Sequence, residues 1–509
     1  MHYARKNRHE QGPQSVTNDD SHAPEMDMEG LKRRSTRGAA LTFASQGLKF
    51  GISFGSQLVL AHLLSPAEFG LVAMAAPVMG FVGIFTDLGL SQATIQRPSI
   101  SQAELSSLFW VNVILSLVLT TLLILLSPVA GWVYGEPRVG PIVAALASLL
   151  LLGGLTSQSF ALMNRRLQFK ALALMEIAAA IVGAGSGIGS ALVGAGYWSL
   201  VIQQAGNSAT MLALIWIVSK FRPSRPRFEK SVVSMLRFGG HLTAFNIVSY
   251  FSSYFDNFLV GVLMGPVSLG FFDRAFKLVL QPLGQITTPI SRVAVPMLSR
   301  LANAEESYRK AYLRMLQLVL LVTAPGLVCA SVMAHQVVRA LLGPAWDGTA
   351  PILSWLSIAG IFAAYSGSTY WLFVSQSRAK AQMKCGFISS GAIIVTMFIG
   401  LPWGPVGIAA SYALFAPIVH GIFVWEAGRT GPVSRRDILV ASSPIVLAVT
   451  ASAAFLAVAG PLMPFPPLAD VILGAGASYG FTIAVLLCIP AGNRMIREIL
   501  AMRSMLRRG

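Results

Sequence analysis

Runs of about 20 or more predominantly apolar residues recur along this chain, the length an α-helix needs to cross a hydrocarbon core of roughly 30 Å at a rise of about 1.5 Å per residue. Fourteen such segments can be drawn, at 38–63, 68–94, 106–127, 139–162, 170–193, 196–219, 237–263, 268–296, 311–333, 349–374, 380–401, 404–427, 437–459 and 468–489. Only 12% of the residues are charged and 54% are hydrophobic, whereas a soluble domain carries roughly 25% charged residues. The expected fold is therefore an all-α integral membrane bundle of about 14 transmembrane helices.

The net charge of +17 would suit a nucleic-acid partner if it were gathered on a soluble face. Here about 32 of the Lys and Arg residues fall in loops or tails on one side of the proposed membrane, about 2 on the other and about 4 within it, the bias that orients cytoplasmic loops. No nucleic acid is expected. The even number of spans puts both termini in the cytoplasm, and only Arg138 and Arg339 fall in opposite-side loops. Those outer loops are short, several of them tight turns such as Ser65-Pro66 and Gly265-Pro266, so no outer domain fits there. Residues 1–37 hold no apolar core and read as a disordered cytoplasmic tail, and 494–509 as a basic one. Cys329, Cys385 and Cys488 are far apart within or at the ends of apolar blocks, and His62, His241, His335 and His420 have no metal-ligand spacing. No metal site or cofactor is expected.

The loop 220–236, with Arg222-Pro223-Ser224-Arg225-Pro226-Arg227, divides the chain near its middle. It separates a lobe at 38–219 from one at 237–427, followed by two further helices within 428–493. Laying 37–70 over 237–270 without a gap pairs Arg37 with Arg237, Ala44 with Ala244, Ser53 with Ser253, Leu63 with Leu263, Pro66 with Pro266 and Gly70 with Gly270. Turn residues fall on turn residues and polar stripe on polar stripe. Repeats of this kind build transporters, and they predict two pseudo-symmetric six-helix lobes around a central cavity.

Polar side chains inside a bilayer cost on the order of 2.5–3.5 kcal/mol each even on permissive scales, so they should face a cavity or one another. The first segment carries Thr42, Gln46, Lys49, Ser53, Ser56 and Gln57 at helical spacing, and its repeat carries Asn246, Ser249, Ser253, Asp256 and Asn257. The eighth carries Arg274, Lys277, Gln281, Gln285, Thr288 and Arg292 along one face, spanning about 27 Å. Such a face suits an anionic, hydroxylated cargo, since Arg and Lys meet phosphate while amides and hydroxyls meet sugar. Lys49, Arg274, Lys277, Gln281, Gln285 and Arg292 are the candidate cargo-binding residues. Asp87, Glu176, Asp256 and Asp273 are the candidates for a coupling ion, proton or sodium, or for gating. Pro282, Pro289 and Pro296, seven apart, would bend the eighth segment.

A set of short stretches resembles the polysaccharide-exporter family, the Wzx-type flippases of lipid-linked oligosaccharides, in the superfamily that also holds the MATE transporters. They are Leu64-Ser65-Pro66-Ala67-Glu68-Phe69-Gly70, Phe85-Thr86-Asp87-Leu88-Gly89-Leu90 with Ile95-Gln96-Arg97, and Asn164-Arg165-Arg166-Leu167-Gln168-Phe169-Lys170. Phe255-Asp256-Asn257 with Gly261, Leu269-Gly270-Phe271-Phe272-Asp273-Arg274-Ala275, Val295-Pro296-Met297-Leu298-Ser299-Arg300 and Leu342-Gly343-Pro344-Ala345-Trp346 continue it. The resemblance covers about 35–430. It implies two lobes arranged as a V, two added C-terminal helices and a non-enzymatic role in a bacterial inner membrane. It further implies a polyprenyl-diphosphate-linked oligosaccharide as cargo, for exopolysaccharide, capsule or lipopolysaccharide assembly, with polymerase or export machinery as partners.

Three other functions compete. A MATE-like exporter of organic cations would want an acidic cavity, a lipid II flippase shares the charge logic, and a membrane glycan polymerase would need a long outer loop. The sidedness can be tested with Cys329, Cys385 and Cys488 replaced by Ser. Arg138→Cys should then react with a membrane-impermeant maleimide on intact cells and Arg429→Cys only after permeabilisation. The reverse pattern would invert the topology.

Overall fold

In the computed structural model, residues 28–87, 90–96, 100–225, 230–460 and 465–506 are described, with side chains throughout these except at 28–44, 87, 92–93, 96, 230–253 and 499–506. The helices run in the order α1 (Met28–Leu63), α2 (Pro66–Asp87), α3 (Leu90–Gln96), α4 (Gln102–Val133), α5 (Val139–Arg165), α6 (Phe169–Leu192), α7 (Trp198–Val218) and α8 (Lys230–Arg300). They continue with α9 (Glu305–Val332), α10 (Ala334–Leu341), α11 (Ala350–Ser375), α12 (Ala379–Gly400), α13 (Gly404–Ala427), α14 (Arg435–Ala459), α15 (Pro467–Cys488) and α16 (Pro490–Leu506). Counting the two arms of α8 separately and setting aside the short α3 and α10 and the terminal α16, fourteen long helices result.

Eleven stretches of the described residues are long and apolar enough to cross a membrane. Two of them, Tyr254–Arg300 and Ala379–Ala427, double back at a glycine: Gly265 has φ +79° and Gly404 φ +71°, a backbone region closed to most residues with a Cβ. Gly265 is the sole departure from helical φ and ψ inside α8, and Pro282, Pro289 and Pro296 all sit within its second arm. α1 starts at Met28 rather than 38, so part of the expected disordered tail is helix and the remainder, 1–27, lies outside the described residues. Ser101 with Glu104 opens α4 and Ser434 with Asp437 opens α14 as capping boxes.

The first lobe is α1 to α7, in which α6 packs along α7 and α4 along α5; in the second, α11 packs on α13, α9 and α8. The two lobes meet where α2 lies against α8, and there the sequence repeat becomes a contact. A Cβ at Gly70 would run into the carbonyl of Pro266, and one at Gly270 into the carbonyl of Pro66. Residues paired in the repeat thus face each other's turns, as a pseudo-two-fold axis requires. A second reciprocal pair reinforces the seam. Trp346, between α10 and α11, is fully buried, donates its indole N–H to the Ala61 carbonyl at 2.8 Å and meets Phe69 edge-on at 5.3 Å. From the other lobe, Tyr134 packs on Phe258 at 5.9 Å and against Gly261, the repeat partner of Ala61.

The two added helices attach to the second lobe. Ser478 of α15 donates to the Pro325 carbonyl of α9 at 2.8 Å and Tyr479 to the Val322 carbonyl at 2.5 Å. Pro325 interrupts the backbone ladder of α9, and side chains from α15 take up carbonyls beside it. Ser452 of α14 in turn donates to the Ser478 carbonyl, so small polar residues bring the three helices close.

Gly70→Leu or Gly270→Leu should part the seam and cost about 1–3 kcal/mol, the usual penalty for overpacking. Thermal melting of the purified protein should show the loss. Gly185→Ala, where a Cβ meets nothing within 4 Å, should melt no lower than wild type. Equal melting of Gly70→Leu and wild type would deny the seam its packing role.

Candidate functional site

Away from the seam the lobes diverge around a chamber whose wall is mostly the first lobe. Its upper part, about 380 Å³, lies beside the seam between Phe69, Val72 and Met79 of α2, Leu146 and Leu149 of α5, and Asp273, Arg274 and Lys277 of α8. A second part, about 450 Å³, shares Gln57, Gln203, Gln204, Arg274 and Lys277 with the first and adds Ser53, Ser56, Asn207, Gln281 and Gln285. Asn207 joins this to a third part of about 340 Å³ lined by Lys49, Glu176, Ser91, Thr156 and Ser157. The chamber therefore runs along the bundle from the seam toward the face that carries the basic loops.

The eighth-segment stripe enters the chamber for half its length. Arg274, Lys277, Gln281 and Gln285 succeed one another by three or four residues and so share a face of the second arm of α8, with Asp273 beside them at the chamber. Asp273 Oδ2 accepts from Arg274 Nη2 at 2.7 Å, Arg274 Nε at 3.2 Å and Lys277 Nζ at 2.9 Å. Arg274 also reaches across the lobes, donating from Nη1 to Gln57 Oε1 at 2.8 Å and laying its guanidinium over the Phe69 ring at 4.5 Å. Gln57 is held in turn, since its amide donates to Gln203 Oε1 at 3.0 Å and Gln203 donates to Ser56 Oγ at 2.8 Å. Two cations against one carboxylate leave the wall with net positive charge.

The other expected residues are placed differently. Lys49 lines the third part of the chamber in an ion pair with Glu176 at 3.1 Å, and Gln46 donates to the same carboxylate at 3.3 Å. Glu176 is thus a partner of Lys49. Arg292 is exposed and lines none of the three parts, because a stripe of that length runs past the chamber's end. Asp256 is buried in the first arm of α8, where Oδ1 accepts the Asn257 amide at 2.8 Å, and it does not line these volumes. The side chain of Asp87 lies outside the described residues, as do those of Thr42, Asn246, Ser249 and Ser253.

Sequence reasoning did not single out Gln203, Gln204, Asn207 and Ser208 of α7, which complete the amide lining. Their signal was available. Four polar residues within six positions of an apolar segment obey the same rule that marked the first and eighth segments. In the turn between α4 and α5, Glu136 pairs with Arg138 at 2.8 Å, and that hydrogen bond lowers the Glu136 pKa and raises that of Arg138.

Comparison with known proteins places this architecture. A family model for polysaccharide biosynthesis proteins matches residues 59–351. The lipopolysaccharide biosynthesis protein WzxC of Escherichia coli (strain K12) is 24% identical over 428 residues, 82% of this chain and 86% of that protein. The teichuronic acid biosynthesis protein TuaB of Bacillus subtilis (strain 168) is 26% identical over 323 residues, 63% of this chain and 67% of that protein. Among solved structures, the lipid II flippase MurJ in an inward closed conformation superposes with a TM-score of 0.67 at 16% identity, covering 89% of this chain and 99% of MurJ. An inward-facing multidrug resistance MATE family transporter gives 0.60 at 12%, covering 78% and 96%. At such identities these two structures speak for the fold alone. The match to the family model spans more than half of the residues, and the chain belongs to the polysaccharide biosynthesis protein family.

Proposed function

We propose that this protein is an inner-membrane flippase that carries polyprenyl-diphosphate-linked oligosaccharide units from the cytoplasmic to the periplasmic leaflet by alternating access. The basic loops and both termini face the cytoplasm in this reading, and the seam closes the periplasmic side. The observation that carries it is the amide-lined chamber with a net positive wall at Arg274 and Lys277. A sugar meets Gln57, Gln203, Gln204, Asn207, Gln281 and Gln285, and the diphosphate meets the cationic end. The names of relatives support the glycan: WzxC in lipopolysaccharide and ExoT of Rhizobium meliloti (strain 1021) in succinoglycan biosynthesis transport.

Energetics suit such a cargo. An inside-negative potential of roughly 100 mV favours outward movement of each negative charge by about 2.3 kcal/mol, so a diphosphate with about two charges gains roughly 4–5 kcal/mol. A coupling proton or sodium ion is then an addition rather than a necessity, and the buried Asp256 carboxylate is where one would bind. The protein's task is to replace the water around the diphosphate while the prenyl tail stays in lipid. A cation exporter fits worse because the wall is positive. A lipid II flippase would share the charge logic, and the fold of MurJ keeps that reading second.

Deletion should leave lipid-linked oligosaccharide in the cytoplasmic leaflet of spheroplasts, detected by extraction and leaflet-specific labelling. If none accumulates, the cargo is wrong. Lys277→Ala should lower export of the glycan at least about tenfold at unchanged protein level, the effect of about 1.4 kcal/mol on a rate. Gln281→Ala with Gln285→Ala should lower it less. Export at the wild-type rate in Lys277→Ala would remove the cationic wall from the mechanism.

A further inference from the structure

The two cations on α8 are not equivalent. All three nitrogens of Arg274 are engaged, Nε and Nη2 on Asp273 and Nη1 on Gln57 of the other lobe, with one face of the guanidinium on Phe69. Its side chain is 9% exposed. Lys277 has a 39% exposed side chain, lines both upper parts of the chamber, and reaches Asp273 through one of three ammonium hydrogens. An anion entering the chamber therefore meets Lys277, and there it meets competition. Asp273 already holds the ammonium at 2.9 Å through the same oxygen that holds Arg274.

We propose that Asp273 is a resident counter-ion, a stand-in for the anionic group of the cargo, and that cargo binding exchanges Lys277 from Asp273 to that group while Arg274 stays on Asp273 and Gln57 as a latch between the lobes. The inference rests on the flippase reading only for the identity of the anion. Exchange of one ion pair for another spares Lys277 a stage without a partner in a low-dielectric chamber, where a bare ammonium is most costly. It also gives the empty carrier a way to close, with Lys277 paired to Asp273. Once the cargo has taken Lys277, Asp273 faces it as a like charge. That repulsion weakens binding and speeds release, so the carboxylate serves turnover at the expense of affinity.

Inorganic pyrophosphate, titrated calorimetrically into the purified full-length protein, is the probe. Asp273→Asn removes the competitor and should bind pyrophosphate roughly tenfold or more tighter than wild type, as loss of a like charge a few ångströms away dictates, while slowing glycan export in cells. Lys277→Gln keeps the Asp273 to Arg274 pair and with it the fold, and should bind at least roughly tenfold more weakly. Pyrophosphate affinity unchanged or weaker in folded Asp273→Asn overturns the proposal, and so does wild-type affinity in Lys277→Gln, which decides the matter alone if Asp273→Asn does not fold. Should both variants behave as expected while the deletion strain accumulates no lipid-linked sugar, the counter-ion stands and the glycan cargo falls.

Discussion

A guanidinium at membrane depth needs acceptors and a π-face around it, and Arg274, each of whose three nitrogens donates a hydrogen bond, draws them from both halves of the molecule. Asp273 comes from its own helix, Gln57 and Phe69 from α1 and α2. The chain of amides behind Gln57 keeps that acceptor aimed, so the lobes are tied at the top of the chamber by one buried polar network. Around this network the remaining architecture is arranged. Above it lies a dry seam of glycine, proline and aromatic residues, and below it lies wet space.

The seam and the chamber divide the work of a carrier between two kinds of surface. At the seam, Gly70 and Gly270 let backbone meet backbone while Trp346 and Tyr134 fill what remains. In the chamber, amides and hydroxyls from α1, α7 and α8 present donors and acceptors without fixed charge, and charge is concentrated at Lys49 with Glu176 and at the Asp273 cluster. A sugar, whose hydroxyls both donate and accept, can move along amides without a deep trap. Polar side chains of the first lobe outnumber those of the second along the wall, so a cargo would be held chiefly by one lobe and anchored by the other.

Much of the fold was legible because membrane helices are read from length and apolar composition, which are local properties. α1 was the exception in detail: its start at Met28 lies before the first apolar segment, among residues whose charge reads as a tail. The repeat was visible through Pro66, Gly70 and their partners, and the structure turns that register into the contact between the lobes. The stripe on α8 identified Arg274, Lys277, Gln281 and Gln285 as chamber residues, yet counting turns along a helix says nothing about where the chamber ends, which is why Arg292 was included. Pairings over long separations were out of reach for the same reason. Nothing near Lys49 in sequence announces Glu176, 127 residues on, and the role of Gln203 depends on how α6 and α7 lie against α1.

The seam's chemistry also fixes what can disturb it. Gly70 opposite the Pro266 carbonyl and Gly270 opposite that of Pro66 form a junction of uncharged main-chain atoms, a contact that ionic strength has no charge to screen. Contact between these two turns is then set by shape. Any sensitivity of the carrier to salt or acidity would then have to arise at its ionised groups, in the chamber and in the turns around this junction.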